Sequence, residues 1–404
     1  MAEQQYDVAK VRAHFPALES GLAFFDGPGG SQTPRPVADA MHATMLGPLS
    51  NRGDLTLAQQ NAERAVTEAR AALADLLDAT PEGVVFGRSF TQLTFDLSRT
   101  LAKGWGAGDE VVVSRLDHDG NVRPWVIAAE AAGATVRWID FDPGSGELSL
   151  DSLEEALSER TRLVAVTGAS NLIGTRPDLR AVADRVHRTD AWLYVDAVHL
   201  TAHAAVSLAQ DGMDLVGCST YKFLGPHAGV LAAAPDLLEQ LHPDKLLPST
   251  DRVPERFELG TLPYELMAGA GAAVEFLAGL APGAAGTRRE RLVASLAALE
   301  EHEDRLRTRI EDGLRALPGA TVHSRAARRT PTVLVTFADR DPQEVSRHLA
   351  TRGVNAPAGS FYAYEPARRL GLGEAGGLRV GLAPYSDDSD VDRLLEALGE
   401  LFPG

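Results

Sequence analysis

The hydrophobic pattern of the chain alternates between helical and extended periodicity from about residue 57 onward. Apolar residues recur at three- and four-residue intervals between Ala62 and Leu77, which predicts an amphipathic helix. Short apolar runs bounded by turn residues then predict strands, and helical stretches such as Val122–Ala132, Leu150–Ser158 and Asp178–Arg188 separate most of them. Because the strands are apolar at nearly every position, we expect an α/β fold with a mostly parallel sheet flanked by helices on both faces. The predicted strands are Gly83–Phe86, Glu110–Ser114, Thr135–Asp140, Leu163–Thr167, Trp192–Asp196, Asp214–Ser219 and Gly229–Ala233.

A second unit follows this α/β region. The stretch Leu280–Thr287 is rich in Ala, Gly and Pro, which is typical of a hinge or a domain border. After it, Arg288–Leu317 has the periodicity of one long amphipathic helix, which Pro318-Gly319 ends. The remaining pattern predicts a smaller α+β domain, with strands at Thr332–Phe337 and Leu378–Leu382 and with helices near Pro342–Thr351 and from Asp390 onward.

The length of the chain, 404 residues, is enough for roughly two or three compact units. We therefore expect a large domain over residues 21–280 and a small C-terminal domain over residues 281–404. The first 20 residues are too short to fold alone, so residues 1–20 are expected to pack against the small domain.

Composition and charge narrow the class of protein. Apolar residues make up 44% and charged residues 24% of the chain, which is typical of a folded globular protein. The 39 basic and 56 acidic residues give a net charge of −17, and such a surface repels nucleic acids and anionic membranes. The single cysteine cannot form an internal disulfide or a Cys-rich metal site, so no metal is expected, and it fits a reducing cytosol.

No segment predicts a membrane anchor. The most apolar stretch, Leu266–Ala281, is interrupted by Glu275 and is followed by Pro282, so a buried Gly/Ala-rich helix is expected there. Met1–Leu18 has no apolar core of the signal-peptide type. We therefore expect a cytoplasmic protein.

Two charged residues follow or end apolar strands, where parallel sheets bind their ligands. Lys222 comes shortly after a predicted strand, and desolvation there would lower its pKa, as imine formation with a carbonyl cofactor requires. Asp196 ends another strand, where it could cap a helix or hold a protonated pyridine nitrogen. Pyridoxal phosphate (PLP) needs both groups. His199 could be a structural histidine, or it could reach the phenolic oxygen of the cofactor.

These residues carry a resemblance to a known family. Asp196-Ala-Val-His199 followed by Ser219-Thr-Tyr-Lys222 resembles the class V aminotransferase group of fold-type I PLP enzymes, and within it the cysteine desulfurase-like proteins. The likeness extends from Phe25-Asp26-Gly27 to Arg379-Val-Gly-Leu-Ala-Pro-Tyr385. It implies a PLP-dependent transferase fold, PLP as the cofactor, an amino acid as the substrate and a homodimer as the active form.

The resemblance also implies roles for single residues around the cofactor ring. Lys222 would bind the aldehyde and act as a catalytic base, and Asp196 would pair with the pyridine nitrogen. His118 matches a histidine that stacks on the ring and can shuttle protons, although an exposed loop histidine is the alternative. Asn171 matches an asparagine that hydrogen-bonds the phenolic oxygen, or it could simply form a turn.

The phosphate of the cofactor would bind where a helix begins. The residues after the strand Gly83–Phe86 open a helix, and the amides of a helix start attract an anion. One matched position departs from the family, which usually has histidine where Tyr221 stands. The matched phosphate-binding residues are Phe90, Thr91, Ser219, Tyr221 and, reaching across a dimer interface, Thr261.

Arg379 is the candidate for substrate binding. It lies in an apolar run, where an arginine is rarely buried without a partner. A local Asp or Glu could satisfy it, but the resemblance implies a bidentate clamp on the α-carboxylate of the substrate. The preceding loop, Ala356–Tyr364, contributes Tyr362 or Tyr364 as a possible wall of the side-chain pocket.

The same loop departs from the cysteine desulfurases, which attack sulfur with a thiolate located there. Ala356–Tyr364 has no cysteine, and the single cysteine, Cys218, is expected to be a small buried core residue. Because sulfur is the heteroatom that the resembling family handles, the resemblance implies β-elimination, that is C–S bond cleavage, of an S-substituted cysteine. It also implies a role in secondary metabolism, where relatives of this kind also occur. The alternatives are decarboxylation-coupled oxidative deamination or transamination of the same substrate class, and a PLP-binding regulator without turnover. A Rossmann dehydrogenase ranks last, because no Gly-x-Gly-x-x-Gly follows the first strand.

Overall fold

The computed structural model describes residues 6–402 of the chain. Its N-terminal segment contains helix α1 (Val8–Arg12) and the short strand β1 (Ala23–Phe24). Arg12 forms ion pairs with Asp387 (3.0 Å) and Asp390 (2.7 Å), which belong to the C-terminal part of the chain. These ion pairs connect the segment to the C-terminal part of the chain, whereas its buried side chains Val11 and Phe15 belong to the hydrophobic core that also contains Leu193 of the large unit. Residues 1–5 lie outside the described residues.

The predicted α/β region forms a seven-stranded sheet within the described residues. Its strands are β2 (Val84–Gly87), β3 (Glu110–Ser114), β4 (Thr135–Ile139), β5 (Thr161–Thr167), β6 (Trp192–Asp196), β7 (Leu215–Ser219) and β8 (Gly229–Ala233). They lie in the order β2-β8-β7-β6-β5-β3-β4. All neighbours pair in parallel except β8, which is antiparallel to β2 and β7. The predicted mostly parallel sheet is confirmed.

Helices cover both faces of this sheet, because alternate strand residues point to opposite sides. In β6, Leu193 and Val195 join one hydrophobic core, and Tyr194 joins the other, together with Trp125. No helix of residues 6–402 has both the length and the apolarity to cross a bilayer. The helices of this region are α2 (Arg35–Leu46), α3 (Leu57–Leu77), α4 (Phe90–Ala102), α5 (Arg123–Ala132), α6 (Leu150–Ala156), α7 (Leu179–Val186), α8 (Pro235–Glu239) and α9 (Tyr264–Ala278), the last of which is largely buried, as predicted.

The C-terminal part forms a smaller α+β unit. Its helices are α10 (Arg288–Arg315), α11 (Pro342–Thr351), α12 (Tyr364–Arg369) and α13 (Asp388–Gly399), and its strands are β9 (Ala320–Val322), β10 (Thr332–Phe337), β11 (Val354–Asn355), β12 (Ala358–Gly359) and β13 (Gly377–Gly381). Four strands form an antiparallel sheet in the order β12-β13-β10-β9, and β11 pairs in parallel with β1.

The long helix α10 connects the two units through their cores. Leu292 and Leu299, in its first half, pack in the core of the large unit, whereas Leu306 and Ile310, in its second half, pack in the core of the small unit. Phe25, just after β1, also belongs to the core of the small unit. We keep the division into a large and a small domain as a proposal, with α10 shared between them.

Arg12→Ala tests how the N-terminal segment is held. Burial raises the pKa of Asp390 and Arg12 opposes this shift, so removing the guanidinium leaves a carboxylate that is costly to keep charged. We expect a loss of about 1–3 kcal/mol in the free energy of unfolding near pH 8. Since the raised folded-state pKa favours folding when the group is protonated, the loss should shrink as the pH falls toward 5. Urea unfolding at the two pH values measures it.

Arg305→Ala is the matched control, because Arg305 pairs with Asp388 on the exposed surface of the same domain. Exposed pairs of this kind contribute little to stability. An Arg12→Ala loss no larger than that of the control would show that the segment is not held by this pair.

Candidate active site

A cavity of about 620 Å³ lies at the carboxyl edge of the seven-stranded sheet. Thr167, Asp196 and Ser219, the last residues of β5, β6 and β7, line it side by side. The start of α4 and the loop between β3 and α5 close it from the large domain, and Arg379 of β13 reaches it from the small domain. The cavity thus has the position at which open α/β sheets bind their ligands.

Lys222 lies in the turn that follows β7. Its Nζ donates hydrogen bonds to the carbonyl oxygens of Pro28 and, at 3.0 Å, of Gly29. Burial, and then the positive charge of Arg379, lower its pKa to about 8, while Asp26 and Asp196 oppose the shift. Near that pH about half of the amine is unprotonated, so this lysine can act as a nucleophile and as a base.

Asp196 is almost completely buried at the end of β6. Its Oδ1 accepts a hydrogen bond from the amide of Val198 at 2.9 Å. Burial raises its pKa to about 7, although this hydrogen bond and Lys222 both favour the charged form. A cation in the cavity would stabilise the charged form of this carboxyl group, and a pyridinium nitrogen is such a cation.

His118 lies on the loop between β3 and α5. Its Nδ1 accepts a hydrogen bond from the amide of Gly120 at 2.9 Å. Burial, and then Lys222, lower its pKa to about 4, so the ring is neutral at physiological pH. The loop is rigid, because Asn121 connects the carboxylate of Asp117 (2.6 Å) to the indole of Trp125 (3.1 Å). A fixed neutral ring suits stacking on a flat ligand.

Three polar atoms on the wall of the cavity are buried and have no hydrogen-bond partner among the described residues. One of them, the Nε of Arg379, is described below, and the other two are the Nδ1 of His199 and the Oδ1 of Asn171. The other polar atoms of these side chains are engaged: the Nε2 of His199 lies 2.8 Å from the hydroxyl of Thr332, and the Nδ2 of Asn171 donates to the carbonyl of Phe361 at 2.9 Å. Unpartnered buried polar atoms on a cavity wall fit a ligand with polar groups.

The start of α4 closes the opposite end of the cavity. Phe90 and Thr91 line it, and the amides of a first helical turn lack intrahelical partners. Gly229 of β8 packs so closely that a Cβ there would lie 2.2 Å from the carbonyl carbon of Ser89. This packing of β8 supports the start of α4, whose first amides can bind an anion such as a phosphate. Tyr221 also lines this cavity.

Arg379 is 2% exposed and is held on three sides. Its Nη2 donates to Asp26 Oδ1 at 2.6 Å, and its Nη1 donates to the carbonyl of Asn171 at 3.2 Å. The ring of Phe361 lies 3.7 Å from the guanidinium carbon. The buried Nε has no partner among the described residues, so the guanidinium can still donate hydrogen bonds to a carboxylate.

Most of the residues proposed from the sequence line this one cavity, and two do not. Tyr362 lines it, with its ring 5.6 Å from that of His118, whereas Tyr364 lies over a neighbouring groove and accepts a hydrogen bond from Arg368. Thr261 is exposed and lies away from it. The lining residues that the sequence suggested are Lys222, Asp196, His118, His199, Asn171, Phe90, Thr91, Ser219, Tyr221, Arg379 and Tyr362.

Sequence reasoning assigned no role to Asp26 or to Phe361. Asp26 stands in the stretch Phe25-Asp26-Gly27, which begins the family likeness, and that stretch was the available signal. Nothing in the pattern indicates that it pairs with Arg379, 353 positions away. Phe361 carries no reactive group and gave no signal.

The comparisons with known proteins agree with this geometry. The family described as Aminotransferase class-V matches residues 23–394. An uncharacterised protein of Mycobacterium tuberculosis is 33% identical, with 98% of this chain and 99% of the relative covered. A probable cysteine desulfurase of Pseudomonas aeruginosa is 29% identical, with 96% of each chain covered.

A solved structure shows the same likeness. The cysteine desulfurase CsdA of Escherichia coli has a TM-score of 0.86 and 26% identity to this chain, and 98% of this chain and 99% of that chain are covered. The chain therefore belongs to the class V aminotransferase family of PLP-dependent enzymes with fold type I.

Proposed function

We propose that the enzyme cleaves the C–S bond of S-substituted cysteines by β-elimination. One observation carries the proposal: the cavity brings together Lys222, Asp196, His118 and Arg379, while no thiol lines it. These groups suffice to bind an amino acid and to remove its Cα proton, and a desulfurase needs a cysteine nucleophile in addition.

Different parts of the cavity have the side chains and amides that the different groups of PLP require. Lys222 would bind the aldehyde, and Asp196 would hold the pyridine nitrogen. His118 would lie against the ring, Asn171 and His199 would contact the phenolic oxygen, and the start of α4 with Ser219 and Tyr221 would hold the phosphate. When bound, PLP stabilises negative charge at the Cα of an amino acid.

Arg379 would bind the α-carboxylate of the substrate through its remaining N–H groups. Lys222 Nζ, unprotonated in part because of its lowered pKa, would take the proton from Cα. The C–S bond then breaks, and sulfur leaves with the bonding pair and gains a proton. With one water consumed, the products are a thiol, pyruvate and ammonia, so no oxidant is needed.

Cys218 is unsuited to the role of a sulfur-accepting nucleophile. It is fully buried in β7, and burial raises the pKa of its thiol. Because Ser219, the next residue of the strand, lines the cavity, Cys218 points to the opposite face of the sheet. This supports a reaction in which no protein persulfide forms.

Two other outcomes use the same residues. Transamination or decarboxylation-coupled oxidative deamination would leave the thioether intact, and a regulator would bind PLP without turnover. The half-buried Lys222, which lines the cavity and has its pKa lowered to about 8, favours catalysis over mere binding.

We also propose that the active form is a homodimer. Thr261 is exposed and lies away from the cavity of its own chain, as a residue that serves the partner's phosphate would. Leu247 (97% exposed) and Leu259 (58% exposed) lie in the same part of the chain, and contact with a second copy would bury them.

Borohydride reduction of the holoenzyme tests the cofactor lysine. We expect peptide mapping by mass spectrometry to find the pyridoxyl group on Lys222, the half-buried lysine of lowered pKa, and not on Lys10, Lys103 or Lys245. Lys103→Ala, which removes an exposed lysine, should leave the labelling unchanged. Labelling of any other lysine contradicts the assignment.

Gly229→Ala tests the phosphate site at the start of α4. A Cβ at this position would collide with Ser89 and Phe90, and overpacking of this kind costs about 1–3 kcal/mol. Since the start of α4 must move to relieve this collision, its amides would no longer lie where the phosphate needs them, and we expect PLP affinity, measured by titration of the apoenzyme, to fall on the order of tenfold. Gly106→Ala is the control, because a Cβ there meets nothing within 4 Å. Equal affinities for the two variants would place the phosphate elsewhere.

The reaction is tested with a panel of S-substituted cysteines and product analysis by mass spectrometry. We expect free thiol, pyruvate and ammonia, because the Cα proton and the sulfur are both lost. Lys222→Ala should nearly abolish turnover, whereas Cys218→Ser should stay within a few-fold of wild type. An intact thioether with loss of CO2 or ammonia would indicate the oxidative route or transamination. Persulfide on Cys218, formed at the rate of turnover, would show a desulfurase.

A further inference from the structure

The carboxylate of Asp26 is paired with the guanidinium that the proposed substrate needs. It faces the cavity, its side chain is 34% exposed, and its Oδ1 lies 2.6 Å from Arg379 Nη2. Arg379 itself is buried, so the pair lies where water screens charges weakly. A substrate carboxylate on Arg379 must therefore come close to a second carboxylate.

The hydrogen bonds of Arg379 leave room for this ligand. A guanidinium has five N–H donors, and here the structure assigns one each to Asp26 and to the carbonyl of Asn171. The buried Nε has no acceptor among the described residues, and the ring of Phe361 covers one face of the group. A carboxylate can thus bind edge-on while Asp26 stays in place.

The charges around the site then determine which carboxylates are accepted. Without a substrate, three basic side chains, Lys222, Arg379 and Arg123, and three acidic ones, Asp26, Asp196 and Asp119, line the cavity. Arg123 and Asp119 pair with each other at 3.1 Å, so their charges compensate. A plain carboxylate adds an uncompensated negative charge beside Asp26. An α-amino acid brings its ammonium group together with its carboxylate, so its net charge is zero.

We propose that Asp26 is a specificity-determining residue that makes the Arg379 site select zwitterionic amino acids and reject carboxylates without an amine. The inference rests on the proposed function only because the amino acid chosen for the test is an S-substituted cysteine. In a purely structural role, Asp26 would hold Arg379 in place through a hydrogen bond, and an uncharged acceptor would serve equally well. The charge of Asp26, rather than its hydrogen bond, is what the proposal requires.

The test compares two ligands that differ only in the amine. They are S-methylcysteine and 3-(methylthio)propionate, and binding of the latter to the PLP-loaded holoenzyme is measured by calorimetry, without turnover. Asp26→Asn keeps an oxygen acceptor for Arg379 and removes the charge. We expect the variant to bind 3-(methylthio)propionate on the order of tenfold more tightly than wild type, and its preference for S-methylcysteine, measured by competition, to fall.

Two variants locate the effect. Arg379→Ala in the Asp26→Asn background should abolish the gain, because the carboxylate then has no clamp. Glu365→Gln is the matched control, since Glu365 also pairs with an arginine, Arg115 at 2.8 Å, but lies outside the cavity, and it should bind the carboxylate as wild type does. Asp26→Ser, which removes the charge with a smaller side chain, should repeat the gain if Asp26→Asn loads PLP poorly.

The outcomes separate this inference from the proposed reaction. Unchanged or weaker binding of 3-(methylthio)propionate by both charge-removing variants would overturn the role of Asp26, whatever the enzyme does with S-methylcysteine. Tighter binding that depends on Arg379 supports it, even if the panel of substituted cysteines yields no thiol. In that case the proposed reaction fails, and the assignment of Asp26 stands.

Discussion

Desolvation at the carboxyl edge of the seven-stranded sheet is the constraint on which the site depends. Strands β5 to β7 are buried on both faces, so the groups at their ends have little water around them. Burial is the largest cause of the lowered pKa of Lys222 and of the raised pKa of Asp196. Burial thus brings the two pKa values close together, to about 7 for Asp196 and about 8 for Lys222. A bound ligand can then change the protonation state of either group.

The small α+β unit completes the site, and four hydrogen bonds hold it there. Arg379 donates to Asp26 and to the carbonyl of Asn171, and the loop between β12 and α12 is held through its backbone. Asn171 donates to the carbonyl of Phe361, and the carbonyl of Tyr362 accepts from the amide of Asp119 at 2.7 Å. Because α10 packs into both cores, these contacts lie between units that already share a helix.

The sequence could predict the elements and the chemistry of the large domain well, because both depend on local patterns. Glu110–Ser114, Trp192–Asp196 and Gly229–Ala233 are strands with the predicted bounds. The same pattern places Asp196 at the end of β6 and Lys222 in the turn after β7. The contacts of the small domain depend on tertiary packing instead. Arg379 pairs with Asp26, and the ring of Phe361 lies against the guanidinium of Arg379. No periodicity in the sequence relates these residues to one another.

The loop that lacks a cysteine is also a loop under backbone strain. Phe361 and Tyr362 have φ values of 55° and 56°, a left-handed conformation that costs about 1–3 kcal/mol at each non-glycine residue. Two hydrogen bonds to their carbonyl groups and the contact of Phe361 with Arg379 offset that cost. A segment whose backbone is held in this way is poorly suited to carry a nucleophile toward a substrate sulfur and back. The loop geometry and the absence of a thiol therefore favour the same chemistry, in which sulfur leaves the substrate without being transferred to the protein.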